Sequence, residues 1–447
     1  MKKRLMALLA AFCMTVSMIG SSTVVSAAEQ KTKDEVIVTM PATSEPEAGF
    51  DPAYGWGAGE HVHEPLIQST LTVTNKDLSI GMDLATDYSV SEDGLIWTVK
   101  IRDDVKFTDG EPLTAKDVAF TYNNCRDNSS VNDFSMLEEA VAVDDTTVEF
   151  HLNKPFSIWP YTMAVVGIVP EHAYDENYGQ NPVGSGRYIM KQWDKGQQVI
   201  FEANPDYYGE EPKMKKVTVL FMEEDAALAA AQSGTVDVAH TAASYSDTEI
   251  EGYELFRVDT VDNRGFNLPA APAEEKDGVR AEMKIVYPAS DSVRQALAED
   301  AKNQLAELGI SVTTEGADWD TAYTAALSQP LMWGWGAHTP MELYNIYHTM
   351  EETGTAEYSP YANETVDKYM DQALESSDLE ESYELWKKAQ WDGETGITQE
   401  GDIPWIWLCN VDHLYFVRDG LKVADQKIHP HGHGWSIVNN VDQWSWE

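Results

Sequence analysis

SEDGLIWTVKIRDDVKFTDGEPLTAKD, residues Ser91 to Asp117, is the stretch on which the reading of this chain turns. Ser91-Glu92-Asp93-Gly94 is a cluster of turn formers. Leu95 to Ile101 is rich in β-branched and aromatic residues, which suit the half-buried pleat of a strand. Asp109-Gly110 marks a second turn, and with Val105-Lys106-Phe107 as a short strand the spacing predicts a hairpin. Thr114 stands where a helix N-cap belongs, with Asp117 in the first turn and Val118, Ala119 and Tyr122 as the apolar face.

The wording of the stretch is more specific than its elements. S-x-D-G, followed by W-T-x-x-x-R-x-D-V-K-F-x-D-G-x-P-x-T-A-x-D-V from Trp97 to Val118, resembles the signature of the family 5 solute-binding proteins. These are extracytoplasmic peptide, nickel and opine receptors of ABC importers. Three further stretches match motifs of that family: Asn181 to Tyr188 (NPVGSGRY), Asn204 to Gly209 (NPDYYG) and Ser233 to Asp237 (SGTVD). The resemblance implies an α/β fold, two-lobed and periplasmic-binding-protein-like (type II, cluster C), with an extra inserted domain. It divides the chain into a signal peptide at 1–27, the first lobe at 28–62 and 170–266, and an inserted domain at 63–169. The second lobe takes 267–414, and 415–447 returns to the first. A helix-rich segment with an A-I-D-R motif, present in relatives, is missing near 270–282, so the second lobe is expected to be shortened.

Working outward, 447 residues with 43% apolar content are ample for several buried cores. Lys2-Lys3-Arg4, the apolar run Leu5 to Ile19 and Val25-Ser26-Ala27 read as an export signal with a small-residue cleavage site. Nothing later in the chain is long and apolar enough to cross a bilayer, so an extracytoplasmic location is expected, in the periplasm or at the outer face of the membrane. Phe12 precedes Cys13 where a small residue belongs, which argues against lipidation there. Cys125 and Cys409 are the cysteines left after cleavage, and the sequence leaves their pairing open. The formal charge of −44 becomes −47 once Lys2, Lys3 and Arg4 are removed, a surface that repels phosphate backbones and excludes nucleic acid as a partner. Glu35 to Met40 reads as a buried strand, and an α/β domain places its cleft at the carboxyl end of such a strand. Gly184-x-Gly186 lacks the third glycine and the Lys-Ser/Thr of a phosphate loop and is taken as turn geometry.

Candidate ligand contacts come from indoles. In Leu331 to Pro340 (LMWGWGAHTP), Trp333 and Trp335 alternate, so they share one strand face before a Gly-rich loop. Trp405 and Trp407 repeat that spacing. Indole offers a large apolar face and one N–H donor, useful for clamping an organic ligand. His338 lies where the peptide-binding relatives carry an aspartate that anchors the ligand's α-amine, and imidazole suits a carboxylate or a metal instead. In His429 to Trp435 (HPHGHGW), His431 and His433 are the candidate metal ligands and Trp435 a further ligand contact; His61 and His63 repeat the H-x-H spacing. The chain contains no G-x-S-x-G, H-E-x-x-H or P-loop pattern, so no catalytic residue is assigned. The resemblance implies a binding protein, not an enzyme, with ABC permease and ATPase subunits as partners. It has no resident cofactor, although nickel or a metal–chelate could be the ligand. Short peptides are the leading ligand class and a nickel-chelator or opine-like metallophore the alternative.

Overall fold

The computed structural model describes residues 34–57, 64–129, 133–268, 282–432 and 434–447. The expected signal peptide, Cys13, the His61/His63 pair, His433 and most of the expected gap near 270–282 lie outside them.

Glu35–Met40 forms the centre of a seven-stranded sheet. It pairs in parallel with Lys216–Phe221 on one side and with Val238–Thr241 on the other. Both faces of the sheet are covered, which is why the strand is an almost unbroken apolar run. One face carries the helix Glu224–Gln232 through Ala227 and Ala231; the other is closed by Trp435, Ile437 and Trp444. Antiparallel strands extend both edges, among them Tyr253–Val258 and His413–Arg418.

The inserted region forms a four-stranded antiparallel sheet in the order Ala85–Val90, Ile96–Ile101, Thr147–Leu152, Leu137–Ala142. Helix Ala115–Asn128 packs on it through Tyr122, whose ring lies 4.6 Å from Phe150 and 5.7 Å from Trp159. Thr114 N–H donates to Asp117 Oδ2 at 2.9 Å, so the expected cap is present. The expected hairpin is not. Ile96–Ile101 is claimed by long strands on both sides, and 105–107 turns back on itself through a bridge between Lys106 and Pro112. Val105 and Phe107 are buried, so hydrophobic burial placed them where ladder pairing did not. Gly184 and Gly186 answer close approach instead of a turn: a Cβ at either would stand 2.0 or 2.5 Å from the carbonyl oxygen of Ile67 or Leu66.

The chain leaves the large sheet after Val258 and returns at His413. The two crossings are stitched together: Thr260 Oγ1 donates to the Val411 carbonyl and Val411 N–H to the Asp262 carbonyl, both at 2.8 Å. Beyond them, Asn263–Asn267 is the middle strand between Met332–Trp333 and Trp405–Asn410. Glu282–Pro288 and Ser311–Ala317 pair in parallel around helix Ser292–Glu307, with Gly309 at φ 79° just past the helix end. Helices Glu364–Glu375 and Leu379–Gln390 form a hairpin that packs against the inserted domain: Ser157 N–H donates to the Leu374 carbonyl at 2.8 Å and Ser157 Oγ to the Ala373 carbonyl at 2.7 Å. Cys125 is buried and Cys409 exposed, and neither is bonded to the other. No helix among the described residues is long and apolar enough to cross a membrane.

Candidate ligand-binding site

The three-stranded sheet past the crossings carries the indoles. Gly265, in its middle strand, faces Trp333 on one neighbour and Trp407 on the other. The absence of a side chain there leaves room for the flanking rings. Trp405 and Trp407, two apart on one strand, stack with centroids 5.3 Å apart and planes 8° from parallel. Trp335 meets both edge-on, at 5.0 and 6.0 Å, and lies 6.2 Å from Trp333. The structure thus joins the four predicted indoles into one wall. Trp333 and Trp405 are its buried base, Trp335 is half-buried, and Trp407 is 37% exposed.

Several members of this wall were not foreseen. Trp319 and Tyr323 stand 5.3 and 5.4 Å from Trp333, and Tyr358 lies 5.0 Å from Trp335. The Arg294 guanidinium sits over both Trp319 and Trp333, 5.5 and 5.4 Å from the ring centres, while paired with Asp291. Trp407 donates its indole N–H to Tyr347 at 2.8 Å. Trp319 follows the N-cap Asp318, so its helix start was readable, but no spacing in the sequence ties it to Trp333.

His338 ends the Trp335-Gly336-Ala337-His338 turn. Its Nε2 lies 2.8 Å from the Ile428 carbonyl oxygen, and a carbonyl only accepts, so Nε2 carries the proton. Burial lowers its pKa below the ordinary histidine value, favouring a neutral ring whose Nδ1 is an acceptor. The histidine-rich segment meets the lobe crossing. His431 Nδ1 lies 2.5 Å from Asp262 Oδ1, and Asp262 is fully buried beside Arg264 and His413. Burial would raise the Asp262 pKa, but hydrogen bonds from His413 and His431 and the charges of His431 and Arg264 hold it well below the usual carboxylate range. His413 reaches Asp262 through Nε2 and His429 through Nδ1 (3.2 Å), on opposite sides of its ring. Among the described residues no group of three or more His, Cys, Asp or Glu side chains is arranged to hold a metal ion.

Trp435 stands apart from the wall. It is buried in the core of the large sheet, 4.8 Å from Trp56 and 6.0 Å from Phe50, and its N–H donates to the Ser44 carbonyl at 2.8 Å. A surface groove of about 540 Å³ lies elsewhere, on the inserted domain, between Asp83, Thr86, Arg102 and Thr146, and includes none of the predicted contacts.

A large α/β lobe, a second lobe reached by two stitched crossings, an inserted β-domain and an indole wall beside the crossings define the type II periplasmic-binding-protein fold. The family model for bacterial extracellular solute-binding proteins, family 5 (middle region), matches residues 79–268. Protein XP55 of Streptomyces lividans is 27% identical over 476 aligned positions, taking in 86% of this chain and 85% of that protein. Among solved structures, NikZ from Campylobacter jejuni in complex with Ni(L-His) superposes with a TM-score of 0.72 at 20% identity, over 93% of this chain and 100% of that one. AppA from Bacillus subtilis in complex with a nonapeptide gives 0.65 at 19% identity, over the same shares. Residues 79–268 thus match the family 5 bacterial extracellular solute-binding model, and the chain as a whole is similar to proteins of that kind.

Proposed function

We propose that the protein is an extracytoplasmic receptor that captures short peptides between its lobes and delivers them to an ABC permease driven by a partner ATPase. No bond is broken in this cycle; closure of the lobes on the ligand creates the state the importer recognises. The observation that carries the reading is the indole wall beside the lobe crossings, with Trp333, Trp335, Trp405 and Trp407 in one contiguous set. It offers apolar, sequence-tolerant surface to a ligand whose side chains vary. His338 faces the same turn with an acceptor nitrogen, which suits a polar ligand atom. The expected domain boundaries, including a second lobe shortened near 270–282, are retained in this reading. The alignment with XP55, at 476 positions, is longer than the 447-residue chain and so requires gaps in it, in keeping with a shortened lobe.

A nickel-chelate or opine-like cargo is the second reading. His338 and His431 favour it, as does likeness to a neighbour whose structure holds Ni(L-His). Calorimetry of the purified protein with a peptide mixture, and separately with nickel plus histidine, separates the two. Heat with peptides is expected; heat only with nickel–histidine transfers the assignment to the second cargo, and heat with neither rejects both.

A further inference from the structure

The inserted domain does not keep its apolar core to itself. One continuous core runs from Trp97, Tyr122 and Phe150 of that domain into Leu374 and Trp386 of the second lobe and on to the base of the wall, Trp333 and Trp405. Among the described residues the large lobe adds Ala53 to it and, at the margin, the half-buried Val183 and Tyr208. The large lobe is filled by two cores of its own, one of which takes in Leu66 and Ile67, where the chain enters the inserted domain. Polar groups at the seam with the second lobe are buried and matched. Ser157 and Ser382, 2% and 0% exposed, bring their hydroxyl oxygens to 2.9 Å, and the Tyr161 and Tyr383 hydroxyls meet at 2.8 Å. The seam with the large lobe is of another kind. Lys76 and Asp425 pair across it with both side chains exposed, Tyr208 donates its hydroxyl to Asp83 Oδ1 at 2.6 Å, and Thr108 N–H donates to the Gly184 carbonyl at 2.9 Å. It also holds a small polar cavity, of about 30 Å³, between Asp83 on one side and Arg187 and Tyr207 on the other.

Parting a dry core exposes apolar surface to water, whereas exposed ion pairs contribute little and separate readily. Domains that share a large apolar interface stay together, and those joined by polar contacts move. We propose that the inserted domain and the second lobe are one rigid body carrying the indole wall, and that cargo is captured by swinging this body against the large lobe. The body joins the large lobe in two places. One is the stitched pair of crossings at 260–263 and 410–413; the other is the entry and exit of the inserted domain, where Ile168 N–H donates to the Ser69 carbonyl and Gly186 N–H to the Ile67 carbonyl, at 2.9 and 2.7 Å. A body held at two points turns about the line through them, so the swing axis passes through both. The inference rests on the solute-receptor reading and its domain boundaries, and goes beyond it by naming the parts that move.

Distances between spin labels test it. Exposed positions on the three parts, Lys100 on the inserted domain, Glu251 on the large lobe and Glu380 on the second lobe, are changed to cysteine in pairs and labelled. A Cys409→Ser background leaves the buried Cys125 as the one native cysteine of the described residues. Double electron–electron resonance is recorded before and after adding a casein peptide digest, and separately nickel plus histidine. The 100–380 distance should hold within about 2 Å while a distance to 251 changes by more than that. A changed 100–380 distance overturns the inference and leaves the receptor reading intact. Constant distances throughout, with both cargoes, overturn capture by lobe closure and the inference together. A second measurement needs no cargo. Leu374→Ala, in the shared core, should speed amide exchange at least about tenfold in Ile96–Ile101 and Thr147–Leu152 as well as in the helices at 364–390, with Glu35–Met40 unchanged. Faster exchange confined to 364–390 overturns the inference, and so does an equal rise in Glu35–Met40, which would make the whole chain one unit.

Discussion

Between Trp333 and Trp407 the middle strand carries Gly265, and a methyl group there would stand 2.4 Å from the Ile406 carbonyl oxygen and 2.8 Å from Trp407 Cε3. Neither can retreat without moving the strand or the indole stack. Gly265→Ala should therefore destabilise the fold by about 1–3 kcal/mol in urea unfolding and weaken the near-ultraviolet dichroism of the tryptophans. A different residue contributes to the response to acid. His240 lies in the strand Val238–Thr241, its Nδ1 2.8 Å from Thr39 Oγ1, and burial lowers its pKa to about 4. The unfolded imidazole takes up its proton near pH 6.5 and the folded one only near pH 4, so between those values the unfolded state binds more protons. Stability should fall by up to about 3 kcal/mol as the pH drops from about 6.5 to 4, and the contribution should level off below that. Denaturant melts of wild type and His240→Gln at pH 7, 5 and 4 check this: the variant should lose that part of the slope.

At the scale of elements, the helix hairpin at 364–390 is tied to the inserted domain by Ser157 and by a 2.8 Å contact between the Tyr161 and Tyr383 hydroxyls. Ser157 satisfies two of the last carbonyls of helix Glu364–Glu375, and its hydroxyl lies 2.9 Å from Ser382 Oγ, which is fully buried. Such carbonyls have no partner within their own helix, so a side chain from a distant segment completes the C-terminus. Ser157→Ala should cost about 1–2 kcal/mol, and a double-mutant cycle with Ser382→Ala should show coupling between the two sites. Additive losses would mean that the hydroxyl pair contributes nothing of its own. The capped helix at 115–128 and the strand–helix–strand unit at 282–317 were legible, because caps, turns and apolar periodicity act within a few residues. The hairpin expected at 95–107 failed because Ala85–Val90 and Thr147–Leu152, the latter more than 40 residues further on, take the hydrogen bonds of Ile96–Ile101.

Across the whole molecule, 75 acidic side chains face 31 basic ones. The folded state concentrates that charge, so self-repulsion opposes compaction and salt relieves it. The melting temperature should rise by a few degrees between about 20 and 200 mM sodium chloride, where the Debye length falls from roughly 20 Å to under 10 Å. A flat response would show that the surface charges are already compensated locally. The same scale explains why the indole wall sits where it does. The two stitched crossings hold one end of the second lobe, the Ser157 contact holds another, and the wall lies in the segment between them.

Read alone, the sequence carried the family resemblance, the Thr114 cap, the central buried strand and the pairing of Trp333 with Trp335 and of Trp405 with Trp407. Those features depend on neighbours a few residues away, or on alternation along one strand. Tertiary structure alone decided which indoles form one wall. Trp435 carries the same side chain as Trp407 but packs into the core of the large sheet, and Trp319, without any motif, joins the site. It also decided that His431 turns to Asp262 at the lobe crossing. Strand register and burial set those outcomes, and both are fixed by contacts between segments tens to hundreds of residues apart.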